Sequence, residues 1–390
     1  MDIGKSGGGV VLGRVDLPAA DRYIASLGLT EAVERHADGE RVRLRLAGPQ
    51  AAAWLPGFDT LGIVERLSLD GERRPDDLER EILVALLGSP IDFAYPSADE
   101  FLAAIRMRRR IVEAARRTVL AFDTAAAERP EGYWDYADGR GFVVLPGKPL
   151  IDALVLATQP GASGRLYSFS CYRATEYVIL LAIAQEAEQV NPPLLAALQA
   201  QWEERPIMSG KFHDVFLHEF GTNEAPLPPR YYIPGDRLWF RNPDPHSSDV
   251  AGFEGSWVFY LGGGIFTNFW KPGRHFTMAD KCLEIYHWRH AVRIGADGEP
   301  WMDESLVDER VARSKADPAE AARIVALMSR VRDPKGVYAD GGCIDATREC
   351  PREVCPGTAD IRLPALRRDS AAPADVGPAQ PPNAASSIAM

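Results

Sequence analysis

Apolar positions along this chain keep two periods, and the balance between them shifts from helical to strand-like near the middle. Residues 18–90 alternate short helical patterns, ADRYIASLGL and LEREILVALLG, with a strand-like run, RVRLRLAG, and a turn region around LPGFDTLG. They read as a small N-terminal accessory region, residues 1–87. From Ser97 to Thr124, Phe101, Ile105, Val112, Ala115 and Val119 recur at helical spacing, and Ser97 is followed three residues on by Glu100, as in a capping box. One long amphipathic helix is expected there. A strand-like GFVVLP and a short helix from about 149 to 158 lead through the loop QPGASGR into SFSCYRATEYVILLAIAQEAEQ. The serines before this apolar run are candidate N-caps, and Asn191-Pro192 ends the helix.

Beyond it FHDVFLHEF, DRLWFRNP and GSWVFYLGGGIFTNFW read as strands, with Gly262-Gly263-Gly264 as a hairpin turn, and a helix follows from Met278 to about Val292. Helices first and strands second indicate an α+β fold. Residues 294–350 read as a C-terminal helical extension. From about Pro351 the chain is rich in Ala, Pro, Ser and Asp with little apolar periodicity, so residues 351–390 are expected to form a disordered tail.

Composition narrows the function classes. With 46% hydrophobic residues in 390, the chain can bury a substantial core. Lys and Arg number 44 against 55 Asp and Glu, a net charge of −11 that opposes general attraction to nucleic acid or anionic membranes. Arginines 106, 108, 109, 110, 116 and 117 on the long helix are therefore read as a solvated, salt-bridged face rather than a nucleic-acid stripe. The first residues lack a long apolar run with a small-residue cleavage site, and no stretch approaches the roughly 20 apolar residues of a membrane span. A cytoplasmic location is expected, in keeping with five cysteines that are too sparse for a disulfide framework.

Cys171 is the position with the clearest chemistry. It lies where a turn gives way to a helix, so free backbone N–H groups and the positive helix end would favour a thiolate and could stabilise the oxyanion of an acyl-transfer intermediate. A cysteine in such a place is also commonly a small buried hydrophobe.

The segments SPIDFAYPSADEFLAAIRMRRRIVEAARRT, LYSFSCYRATEYVILLAIA, GDRLWFRNP and GSWVFYLG follow one another as in bacterial spore-coat protein-glutamine gamma-glutamyltransferases. The chain resembles a divergent member of that family over a catalytic region spanning 88–293. The resemblance implies a papain-like or NlpC/P60-like core, with Cys171 of Phe169-Ser170-Cys171 as nucleophile. The thiolate would attack a glutamine carboxamide, release ammonia and pass the acyl group to a lysine amine, without metal or organic cofactor. Partners would be proteins bearing glutamine and lysine. The family places a glutamate before the cysteine and another in a Gly-Glu-Asn strand, where this chain has Ser170 and Ser256. Glu254 would lie on the same strand face as Ser256, about 7 Å away, and could supply the missing carboxylate. The histidine that follows the family's strand is Phe269 in register, with His275 as a shifted replacement, and His218 beside Glu219 is a further candidate base. The same thiol could serve a glutaminyl deamidase or a cysteine peptidase, and loss of the glutamates would also fit a scaffold that has lost its activity.

Other patterns carry less. Glu284-x-x-His287 with His290 puts metal-type ligands on one helix but lacks a second such motif. Cys343, Cys350 and Cys355 lack paired spacing and read as tail thiols. The aromatic set Trp239, Phe240, Trp257, Phe259, Tyr260, Phe266, Phe269 and Trp270 could line a tunnel for an extended side chain or fill the core.

Overall fold

The computed structural model describes residues 7–122, 127–137, 141–207, 211–332 and 341–366. Two larger sheets, three two-stranded ones and the helices packed with them form a mixed α and β architecture. The N-terminal sheet has the order Val33–Asp38, Arg41–Leu46, Gly9–Gly13 and Asp92–Ala94, with the last pair parallel and the others antiparallel. Alternation in RVRLRL buries Val42, Leu44 and Leu46 and leaves the arginines toward solvent. The strand Asp92–Ala94 completes this sheet, so the boundary expected after residue 87 falls before the sheet's last strand.

The second sheet is antiparallel, in the order Phe276–Thr277, Ile265–Phe266, Gly255–Gly262, Arg237–Arg241, Arg348–Pro351 and Leu217–Phe220. The turn from Gly262 to Gly264 has φ of 85°, 59° and 75°, a left-handed run that favours glycine and closes the expected hairpin. FHDVFLHEF is not one strand: Lys211–Phe216 is helical and only Leu217–Phe220 is extended, so His213 and His218 lie on different elements. Phe212 and Phe216 are buried four residues apart, a helical repeat that governs the first half of the segment.

The helix Ala98–Arg117 packs against both its neighbour Pro75–Leu87 and the central helix Cys171–Val190. Ser97 caps it, accepting from the Glu100 N–H at 3.2 Å. The Glu100 carboxylate, however, turns away to the C-terminal segment, accepting from the N–H groups of Val354 (3.1 Å) and Cys355 (2.7 Å) and the Thr358 hydroxyl (2.7 Å). The arginine face departs from a solvated stripe: Arg108 is 2% exposed and pairs with buried Asp236 at 2.6 Å, and Arg106 and Arg110 converge on buried Glu186. Residues 351–366, expected within the tail, bury Val354 and Cys355, while 367–390 lie outside the described residues. Cys343 and Cys355 are buried and Cys350 half-buried, so they are not tail thiols. No helix among the described residues is long and apolar enough to cross a membrane.

Candidate active site

Cys171 is the first residue of the helix Cys171–Val190. Ser170 is its N-cap, the side chain accepting from the Arg173 N–H at 3.2 Å, so the serine that stands before the cysteine has a local structural task. The parallel pairing of Ser168–Phe169 with Ala121–Phe122 fixes the approach to the helix, and Phe169 is buried beneath it. The helix is apolar nearly all round from Ala174 to Ala187, which holds it in the core, packed against the strand Gly255–Gly262 of the large sheet.

The sulfur meets that sheet at the Trp257 N–H of the strand Gly255–Gly262. Burial pushes the Cys171 thiol above its ordinary value. The backbone N–H groups of Trp257 and Tyr172 pull it back, the Lys281 cation also lowers it, and the Glu254 carboxylate raises it. The net direction is upward, opposite to the lowered thiol expected from a helix start, because desolvation exceeds what the donors return.

Trp257 and Tyr172, whose N–H groups meet the sulfur, are packed into a wall with Trp239 and Arg237. Trp239 and Trp257, opposite each other in the strand register, stack at 5.2 Å with an interplanar angle of 11°. The Arg237 guanidinium, 1% exposed, lies 4.1 Å from the Trp257 ring centroid and 4.4 Å from that of Tyr172. Its Nε donates to Thr175 Oγ1 at 2.8 Å and a terminal nitrogen donates to Glu349 at 2.6 Å. Gly255 is required by close approach: a Cβ there would come 2.1 Å from Trp239 Nε1 and 2.4 Å from the Phe240 carbonyl.

The expected site residues are thus distributed unequally. Glu254 is exposed just before the strand, not within it, and its charge reaches Cys171. His218 bonds Glu353 at 2.7 Å, close to Asp360 at 3.5 Å. His275 Nδ1 accepts from the Asn268 N–H at 3.4 Å, and the charges that act on it are those of Arg116 and Glu72. Neither histidine is among the groups acting most strongly on the Cys171 sulfur. His213 bonds Glu349 at 2.8 Å and so touches the Arg237 wall from behind. The aromatic set also divides: Phe240, Phe259, Tyr260, Phe266 and Phe269 are core, while Trp257, whose N–H meets the thiol, and Trp239 stacked on it are half-exposed.

Lys281 is the residue that sequence reasoning missed. It is 3% exposed on the helix Met278–Trp288, and its ammonium donates to Glu284 at 2.7 Å and to Ser256 Oγ at 3.4 Å, 3.7 Å from the Phe276 ring centroid. A signal was present, since a lysine stands between the buried positions Met278, Cys282 and Ile285 with an acidic residue three places on. The Glu284-x-x-His287 pattern is taken up elsewhere, Glu284 by Lys281 and His287 by Ser314 at 2.8 Å. Three-residue groups with metal-type donors do occur at His213, Glu219 and Glu349 and at His218, Glu353 and Asp360, each already engaged in ion pairs.

Comparison with known proteins places these residues in context. Residues 64–347 match the family described as protein-glutamine gamma-glutamyltransferase. Over 219 residues, 54% of this chain and 70% of the relative, the sequence is 27% identical to a protein-glutamine gamma-glutamyltransferase of Halalkalibacterium halodurans. A solved structure, the transglutaminase from Geobacillus stearothermophilus without its C-terminal extension, aligns with 55% of this chain and 98% of its own at 19% identity, with a TM-score of 0.37.

Proposed function

Because the chain belongs to the protein-glutamine gamma-glutamyltransferase family, we propose that it crosslinks proteins by acyl transfer through a thioester on Cys171. The observation that carries this reading is the placement of Cys171 as the first residue of a capped, buried helix, with the N–H groups of Trp257 and Tyr172 stabilising negative charge on its sulfur. The thiolate attacks the carboxamide carbon of a substrate glutamine. A C–S bond forms, the C–N bond breaks, and the proton lost by the thiol leaves on ammonia. A lysine amine then attacks the thioester, and the sulfur departs with the amine's proton to leave an isopeptide bond. Both intermediates carry an oxyanion, which free N–H groups at a helix start are suited to stabilise.

Glu254 is the carboxylate we assign to the incoming amine. It is exposed at the site and its charge reaches the thiol, so it can attract a lysine ammonium and take up its proton. The two half-exposed indoles, Trp239 and Trp257, would flank the methylene stems of the substrate side chains. His218 and His275, bonded elsewhere, receive no proton-transfer role. A papain-like core, substrates that are themselves proteins, and a cytoplasmic setting complete the reading.

The test is incorporation of a labelled primary amine into a glutamine-bearing protein. Incorporation by the wild type and its loss in Cys171→Ala are expected. Ammonia release without amine uptake would instead make the enzyme a deamidase.

A further inference from the structure

The family's strand glutamate is a serine here, and something else must offset the burial of the thiol. Lys281 stands at that serine. Its ammonium lies within hydrogen-bond reach of Ser256 Oγ, the residue directly before Trp257, whose N–H meets the Cys171 sulfur. A lysine 3% exposed would ordinarily extend its amine to water, because burying an ammonium costs several kcal/mol unless partners replace its hydration. Here the partners are built in: Glu284 on the same helix, Ser256 on the strand, and the face of Phe276. These partners replace the hydration of the ammonium and place it at Ser256, one residue from the Trp257 N–H that meets the sulfur, and its charge acts on the thiol.

We propose that Lys281 is a positioning residue for the reaction, the fixed cation that stabilises the Cys171 thiolate across Ser256. The inference rests on the reading of Cys171 as nucleophile and adds how that nucleophile is made ready. Of the charged groups that act on the sulfur, Lys281 favours the thiolate and Glu254 opposes it, with the N–H groups of Trp257 and Tyr172 adding to Lys281. Arg237 lies between the Tyr172 and Trp257 rings and is matched by Glu349, and Glu284 faces Lys281 itself. A cation here has a consequence a carboxylate would not: it raises the thiolate population without accepting the thiol's proton, leaving proton transfer to the exposed Glu254 and to solvent.

The experiment follows Cys171 alkylation by iodoacetamide as a function of pH, located by peptide mapping because four other cysteines are present. In Lys281→Met the midpoint is expected to rise by about one pH unit, a roughly tenfold slower reaction on the acid side of the midpoint. Lys281→Arg, which keeps the charge, is expected to remain near the wild-type midpoint. Lys281→Gln retains a donor toward Glu284 and Ser256 and guards against loss of the fold; the neutral variant whose melting matches the wild type decides. An unchanged midpoint in that variant would overturn the assignment of Lys281. If at the same time the wild type incorporates amine, only this inference falls; if the wild type incorporates no amine at any pH, the reading of Cys171 as nucleophile falls with it.

Discussion

At Cys171 desolvation and local donors act in opposite directions, and desolvation prevails, so the thiol sits above its ordinary value in the resting protein. The sign of the consequence is fixed: the reactive thiolate is populated only as pH rises toward and through that raised value. Amine incorporation is therefore expected to keep increasing from neutral pH into the alkaline range rather than to peak near neutrality, as an initial-rate profile would show. A maximum on the acid side of neutrality would contradict this. The cysteine, its helix and its capping serine were legible in the sequence, because a serine before an apolar helical run has one common role. Lys281 was not: its partner Ser256 is 25 residues away on a strand, and only the packing of the helix Met278–Trp288 on the large sheet brings the two together. Likewise His218 and His275 are plausible bases as isolated residues, but each is bonded to groups remote in sequence or set apart by a local turn.

At the scale of elements, Arg237 ties four pieces of the structure into one wall. It belongs to the strand Arg237–Arg241, bonds Thr175 on the Cys171 helix and Glu349 on the strand Arg348–Pro351, and lies against Trp257 of the strand Gly255–Gly262. Burial pushes the Glu349 carboxyl up, but Arg237 and the His213 hydrogen bond outweigh it and hold the group below the ordinary carboxylate range. Arg237→Met leaves that carboxylate short of its main cation and is expected to cost about 3–5 kcal/mol, measured by chemical denaturation. A loss below about 1 kcal/mol, the size of a surface pair, would show that the wall does not depend on it. The strands and helices themselves were largely readable from period, as in the buried alternation of Val42, Leu44 and Leu46. FHDVFLHEF misleads because its phenylalanines fit either period, and burial of Phe212 and Phe216 on one helical face selects the helix for its first half.

Across the whole molecule, the N-terminal region is joined to the large sheet by buried polar contacts as well as by a common core running from Val10 to Ile361. Glu81, on the helix Pro75–Leu87, accepts from the Gly263 N–H at 2.9 Å and the Tyr260 hydroxyl at 3.3 Å in the hairpin of the large sheet. Burial pushes its carboxyl up from 4.5 to about 7, despite those bonds and the nearby Arg116 cation. A carboxyl raised in the folded state favours folding when protonated, so this contribution declines as pH rises from about 4.5 to about 7 and then levels off. Glu81→Gln is expected to gain melting temperature relative to wild type across that interval, and an offset that does not change with pH would refute it. The resemblance to the family begins near Gly88 and so sets the boundary at 87, whereas the partners of Glu81, some 180 residues on, are not legible in the sequence.

The proposed transfer of an acyl group from glutamine to lysine on Cys171 is tested most directly by tandem mass spectrometry of a digested mixture of glutamine-bearing and lysine-bearing proteins after incubation with the protein. Glutamine–lysine isopeptide pairs with wild type and none with Cys171→Ala are expected; equal yields from both, or none from a folded wild type whose glutamines have become glutamates, would contradict it.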